Sequence, residues 1–143
     1  MGVSFVVFGQ PIAQPRRIEG FGKKTGKRFS FVPHQHPIHA YRQEIALRFL
    51  EAGRKLQFEN DCIEVMVEFV LAPRFESQFG KPCVSAPDLD NLMKSVKDAL
   101  KNVAWKDDCR VCKESGWKRY CCKGEKPATI IFISQLAIPS LEA

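Results

Sequence analysis

The sequence predicts an α+β fold: a single domain, residues 1–143, with a mixed β-sheet and two packed α-helices. Three observations predict it. Two stretches, around residues 40–52 and 88–102, repeat apolar residues at helical spacing. Short runs rich in Val, Ile and Phe at 3–8, 61–71 and 128–138 read as strands. The order is strand, basic loop, helix, strand, helix, strand, strand, which mixes parallel and antiparallel neighbours.

Val3 to Phe8 is expected as a buried strand, ended by Gly9, Pro11 and Pro15. A basic, glycine-punctuated loop follows with Arg16, Arg17, Lys23, Lys24, Lys27 and Arg28, opposed only by Glu19. Lys27 to Val32 alternates enough for a short strand, read as a hairpin partner of the first. The interleaved Phe21, Phe29 and Phe31 have a plain reading as anchors that tie the loop to the core. The functional reading is an arm that contacts phosphate, because Arg and Lys supply the sequence-independent part of nucleic-acid affinity.

Ala40 to Ala52 is expected as a helix with Tyr41, Ile45, Ala46, Phe49 and Leu50 inward and Gly53 as C-cap. In Asp61 to Leu71, Ile63, Val65, Val67 and Phe69 alternate with Glu64, Met66 and Glu68. The outward side turns apolar at Val70, so one end of that strand should be covered. A loop over 73–86 leads to Asp88, where a second helix begins with an inward stripe of Leu89, Leu92, Met93, Val96, Ala99 and Leu100. Asp90, Lys94, Asp98 and Lys101 fall opposite. Arg110 to Cys122 and Ala128 to Ile138, joined by a turn over 123–127, are expected to form an antiparallel hairpin.

The chain has 143 residues, one domain's worth, and 45% of them are hydrophobic, which excludes a disordered chain. Lys and Arg number 22 against 16 Asp and Glu, a net charge of +6 that favours a polyanionic partner. No apolar run spans a bilayer, Met1 to Val6 lacks the basic start of a secretion signal, and position 6 lacks the hydroxyl of a myristoylation motif. The expected compartment is the cytoplasm, where the six cysteines stay reduced.

The chemistry concentrates at Asp88, Asp90, Lys94 and Asp107-Asp108. Carboxylates are favoured at a helix start by the free amides and the dipole. Asp88 and Asp90 converge only if Asp88 precedes the helix, as Pro87 implies. The plain alternative makes Asp88 a cap, pairs Lys94 with Asp90 and leaves Asp107-Asp108 as a turn. From Asp88 to Asn102 a helix runs about 21 Å at about 1.5 Å per residue. The return from Val103 to Asp108 covers at most about 20 Å if extended. Val103-Ala104-Trp105 is therefore expected to climb back as a strand, so that each acidic cluster is built mainly within one chain; the alternative is a site shared across a dimer interface.

The run Asp88-Leu89-Asp90-Asn91-Leu92-x-Lys94, then Asp98-Ala99-Leu100, then Asp107-Asp108-x-x-Val111, resembles the signature of RusA-type Holliday-junction resolvases. Pro11, Pro15-Arg16-Arg17, Phe31-x-Pro33 and Tyr41 resemble the family's N-terminal half, so the resemblance spans roughly residues 5 to 135. It implies a RusA-like fold and a homodimeric, magnesium-dependent endonuclease, of a kind common in phages and prophages, that cuts four-way DNA junctions symmetrically. It also implies Asp88, Asp90 and Asp108 as essential carboxylates, Asp107 as an added acidic member and Lys94 as an essential lysine. Manganese would be expected to substitute for magnesium.

Two rival classes remain open: a junction- or fork-binding module that does not cut, and a zinc-stabilised interaction domain. His34, His36 and His39 lie close together, but no carboxylate or cysteine accompanies them. Cys109-x-x-Cys112 with Cys121-Cys122 can read as zinc, yet adjacent cysteines on a strand point to opposite faces. Buried free thiols are the expectation.

Overall fold

The computed structural model describes residues 2–53 and 62–136. Asp61 of the expected strand over 61–71, and residues 137–138 of the last expected strand, lie outside them. Four strands form one sheet in the order β1-β6-β4-β5: β1 (Gly2–Phe8), β4 (Ile63–Leu71), β5 (Val111–Tyr120) and β6 (Ala128–Gln135). β2 (Ile18–Phe21) and β3 (Arg28–Phe31) form a separate antiparallel hairpin. The helices are α1 (Ile38–Gly53) and α2 (Leu89–Leu100).

Strand chemistry explains the order. β6 buries Ile131 and Ile133 almost completely and takes a central place, paired antiparallel with both β1 and β4. β5 carries Lys113, Glu114, Ser115, Lys118 and Arg119 and is exposed over half its length, which suits an edge. The expected β5–β6 hairpin is therefore wrong. The turn before Pro127, with Gly124 at φ 81°, carries the chain past β5 to the far side of β4. β5 pairs parallel with β4 instead, and parallel neighbours need a crossover, which α2 supplies.

β1 is also not a fully buried strand. Val3, Phe5 and Val7 point inward while Ser4, Val6 and Phe8 stay exposed, the pattern of a sheet with one covered face. Its partner is β6, not the 28–31 strand, which pairs with β2.

Both helices cover the same face of the sheet and touch each other. α1 buries Ile38, Tyr41, Ile45 and Phe49, with Phe49 set edge-on to Phe5 at 6.1 Å; Leu50, expected inward, is exposed. α2 buries Leu92, Met93, Val96, Ala99 and Leu100. As expected, the far end of β4 is covered, with Val70 and Leu71 buried. On the uncovered face, Val6, Phe132, Met66 and Trp117 form an exposed strip with one residue from each strand.

The connector from β1 to the hairpin is tied down. Pro11 is buried, Ile12 and Ala13 pack on the core, and Gln10 Oε1 accepts the Ala72 amide at 2.9 Å. The Gln14 amide donates to the Asn91 carbonyl at 3.0 Å. Gln14 also bonds Arg42, whose guanidinium pairs with Asp98 at 3.2 Å. Two of the three histidines serve local structure: His36 Nδ1 accepts the Ile38 amide at the start of α1, and His39 bonds the Pro33 carbonyl. No helix among the described residues is long and apolar enough to cross a membrane.

Candidate active site

The first turn of α2 is placed by the loop before it, and that loop is stitched to β5. The Cys83 amide donates to the Lys118 carbonyl at 3.1 Å, and the Tyr120 amide to the Lys81 carbonyl at 2.9 Å. The Ser85 hydroxyl meets the Tyr120 hydroxyl at 2.8 Å. The Lys118 ammonium donates to the Ser85 and Pro87 carbonyls, at 2.5 and 2.7 Å. Sequence reading missed Lys118, and nothing in its neighbours on a mid-strand position would have flagged it. The Ala86–Pro87 peptide is cis, and Asp88 follows it.

Asp88 takes the N-cap position, with extended backbone (φ −70°, ψ 140°), as its place before the helix requires. Its backbone carbonyl accepts the Leu92 amide at 3.1 Å, but its carboxylate makes no capping bond. A capping aspartate ordinarily spends its side chain on the free amides. Asp88, Asp90 and Lys94 are all exposed, and among the described residues none has a side-chain hydrogen bond or ion pair. The plain Asp90–Lys94 pair is therefore not formed. The charges farther along α2 are spent: Asp98 on Arg42, and Lys97 on Glu114 of β5 at 3.0 Å. Asp90 and Lys94 line a cleft of about 390 Å³ between α2 and β5, with Leu89, Met93, Glu114 and Gly116. Gly116 makes that approach possible, because a Cβ there would lie 2.6 Å from the Met93 sulfur.

Asp107 and Asp108 lie elsewhere. Residues 102–104 form a turn in place of the expected returning strand, with Asn102 at φ 66° and its amide bonded to the Trp105 carbonyl. Trp105 is buried, as its packing against the helix stripe requires, and its indole N–H donates to Asp108 Oδ1 at 2.8 Å. Asp108 then opens the 3-10 turn that leads into β5. α2 runs antiparallel to β5: Pro87 sits by Lys118, Met93 by Gly116 and Lys97 by Glu114. The twelve residues of α2 span about 18 Å. Asp88 and Asp90 are thus at one end of the helix and Asp107 and Asp108 at the other. Among the described residues of one chain, no three His, Cys, Asp or Glu side chains lie close enough to hold a metal ion.

The segment leading into the basic hairpin is tied beside the first end. Arg16 and Arg17 follow within three residues of the Gln14–Asn91 bond, next to Asp90 in the chain. Arg16, Lys23, Lys24, Lys27 and Arg28 are exposed without an acidic partner among the described residues, while Arg17 is held by Ser30 at 3.0 Å. The expectation of buried thiols holds for Cys121 but not for Cys109, Cys112 and Cys122, which are exposed free thiols.

A basic α+β domain that holds unspent carboxylates and a lysine at the start of a crossover helix has the parts of an enzyme that hydrolyses DNA phosphodiester bonds, and comparison with known proteins gives that class. The family model of endodeoxyribonuclease RusA matches residues 9–134, and the chain belongs to that family. No curated protein matches it. Members resolve Holliday junctions, act on branched DNA and generally depend on a divalent metal.

Proposed function

We propose that this chain is a magnesium-dependent, structure-selective endodeoxyribonuclease, one domain over 1–143, that resolves four-way DNA junctions by paired cuts in recombination and repair. The observation that carries the reading is the unspent first turn of α2. Asp88 occupies a cap position without capping, and neither Asp90 nor Lys94 is paired. These groups are left to solvent at one helix end, which supports their use on a ligand.

The donor set fits a hard cation, because all four aspartates offer oxygen and magnesium prefers oxygen ligands. Asp88, Asp90, Asp107 and Asp108 would hold it, with manganese able to substitute. When bound, it would lower the pKa of an attacking water and neutralise charge on the phosphate. Lys94, one turn beyond Asp90 in the same cleft, would stabilise charge developing on the phosphoryl oxygens. Arg16, Arg17, Lys23, Lys24, Lys27 and Arg28 would hold the DNA backbone without reading base sequence.

The protein would act as a homodimer with sites shared between protomers. The separation along α2 supports this in preference to a site within one chain. A two-fold axis near the middle of the α2–β5 edge reverses the helix. That apposes Asp88 and Asp90 of one protomer with the partner's Asp107 and Asp108. The proposed compartment is the cytoplasm, where DNA and reduced thiols coexist.

Cleavage of a synthetic four-way junction with magnesium, wild type beside Asp90→Asn, tests the reading. The expected result is paired cuts by wild type and none by the variant, with junction binding kept. Wild-type cutting by Asp90→Asn would remove Asp90 from the site. Binding without any cutting by wild type would favour the non-cutting module.

A further inference from the structure

The β2–β3 hairpin stands apart from the main sheet and exposes aromatic rings among its cations. Its register puts Ile18 opposite Phe31 and Gly20 opposite Phe29, so these four share one face. Glu19, Ser30, Phe21 and Arg28 share the other. The Phe29 and Phe31 rings stack at 5.7 Å with 30° between their planes. The Phe29 ring lies across Gly20, where a Cβ would collide with it. The phenylalanines are not core anchors: Phe21 is 64% exposed, Phe29 51% and Phe31 40%.

Exposed aromatic surface of this kind calls for a partner, and the surrounding charge selects which one. Arg16, Lys23, Lys24, Lys27 and Arg28 are exposed on the hairpin, its loop and the segment leading into it, with Arg28 on the face of Phe21. A second copy of the hairpin would bring like charges together. An apolar peptide would leave the cations unanswered. Paired duplex offers phosphates, but its base faces are stacked away. Unpaired nucleotides offer phosphate and a free base face together, which is the combination that single-strand binding surfaces exploit.

We propose that Phe29 and Phe31 form a stacking platform for unpaired bases at the branch point of the DNA substrate. The proposal rests on the DNA-endonuclease reading. The Gln14–Asn91 bond sets the root of the hairpin beside the first turn of α2, so a base held there lies near the candidate site of cleavage.

The test is binding in EDTA, where no cutting occurs, to a four-way junction, an oligodeoxythymidine strand and a linear duplex. The variant is Phe29→Leu/Phe31→Leu, which keeps apolar bulk but removes the π faces; equal melting temperatures by circular dichroism exclude unfolding. Removing two stacks should weaken binding to the strand and the junction by on the order of tenfold or more. Duplex affinity and the salt slope should stay as in wild type. Lys23→Ala/Lys24→Ala should lower that slope by about 0.9 for each phosphate no longer neutralised. A 2-aminopurine placed at the branch point should change emission with wild type and not with the double Leu variant. Wild-type affinity of the Leu variant for the strand overturns the proposal. So does an equal loss on duplex, which would make the rings supports of the hairpin, or a loss confined to self-association in sedimentation, which would make them a contact between copies. Stacking without any later cleavage in magnesium would support the platform and count against the nuclease reading alone.

Discussion

Two inactive chains should make one working site when mixed, and the length of α2 sets that expectation. Ligands to one magnesium ion must approach within about 2.0–2.1 Å of it. Asp88 and Asp108 flank opposite ends of a helix about 18 Å long, too far for two short side chains to share an ion within one chain. In the proposed two-fold dimer, a site would take Asp88 and Asp90 from one protomer and Asp107 and Asp108 from the other. Asp90→Asn and Asp108→Asn homodimers are each dead at both sites. In a mixed dimer, both substitutions fall in one site, and the other site is wild type. Random exchange of equal amounts makes about half the dimers mixed, so roughly a quarter of the wild-type sites should return in the mixture and about half in mixed dimers isolated from it. Those dimers carry one site each, so the product should be nicked junctions without paired resolution. The assay is nicking of a labelled junction by co-refolded chains with different affinity tags, isolated through both tags. A purified mixed dimer as inactive as its parents would refute the shared site and require a rearrangement that brings the aspartates together within one chain. A fully active monomer in sedimentation would refute it as well.

Lys94→Ala should abolish junction cutting while leaving the melting temperature near wild type, because Lys94 makes no ion pair for the fold to lose; cutting at the wild-type rate would make it a surface residue. Tyr41 should give the protein an alkaline sensitivity. Burial pushes its phenol up to about 12, while the Thr129 hydroxyl at 2.6 Å and the Ile12 backbone bond it. Above pH about 10 the unfolded chain ionises this phenol and the folded chain does not. Stability intact below that pH is therefore lost as pH rises through about 12. Urea midpoints measured from pH 9 upward should fall more steeply for wild type than for Tyr41→Phe. At neutral pH the variant should be less stable by about 1–3 kcal/mol, because it strands the buried Thr129 hydroxyl. Parallel pH profiles would refute the assignment.

Helices and strands were legible where one face is buried. The stripe from Leu92 to Leu100 and the alternation from Ile63 to Phe69 each name their inward residues. The pairing of strands was not legible, since period-two alternation says which face is inward and not which neighbour lies alongside. The short turn after β5 suggested a hairpin, but a polar β5 and an apolar β6 compete differently for the centre of a sheet. The first turn of α2 could be read because Asp88, Asp90 and Lys94 are close in sequence. The place of Asp107 and Asp108 could not, because it depends on whether 103–105 extends or turns. The supports of the site, Lys118 and the Gln14–Asn91 bond, are contacts across the fold with no local signature.

The central position of β6 bears on how the chain is made. Among the described residues β6 is the last strand in chain order, yet β1 has no other sheet neighbour there and β4 depends on β6 along one edge. While a ribosome is still producing residues before Ala128, the whole of β1 has emerged with Val3, Phe5 and Val7 and has nothing to pair with. The sheet cannot assemble progressively from its first strand, so its closure waits for nearly the entire domain to leave the exit tunnel. Such a nascent chain is a natural client for chaperones that shield apolar segments, and slowing synthesis within β4 to β5 would prolong its exposure without helping it fold.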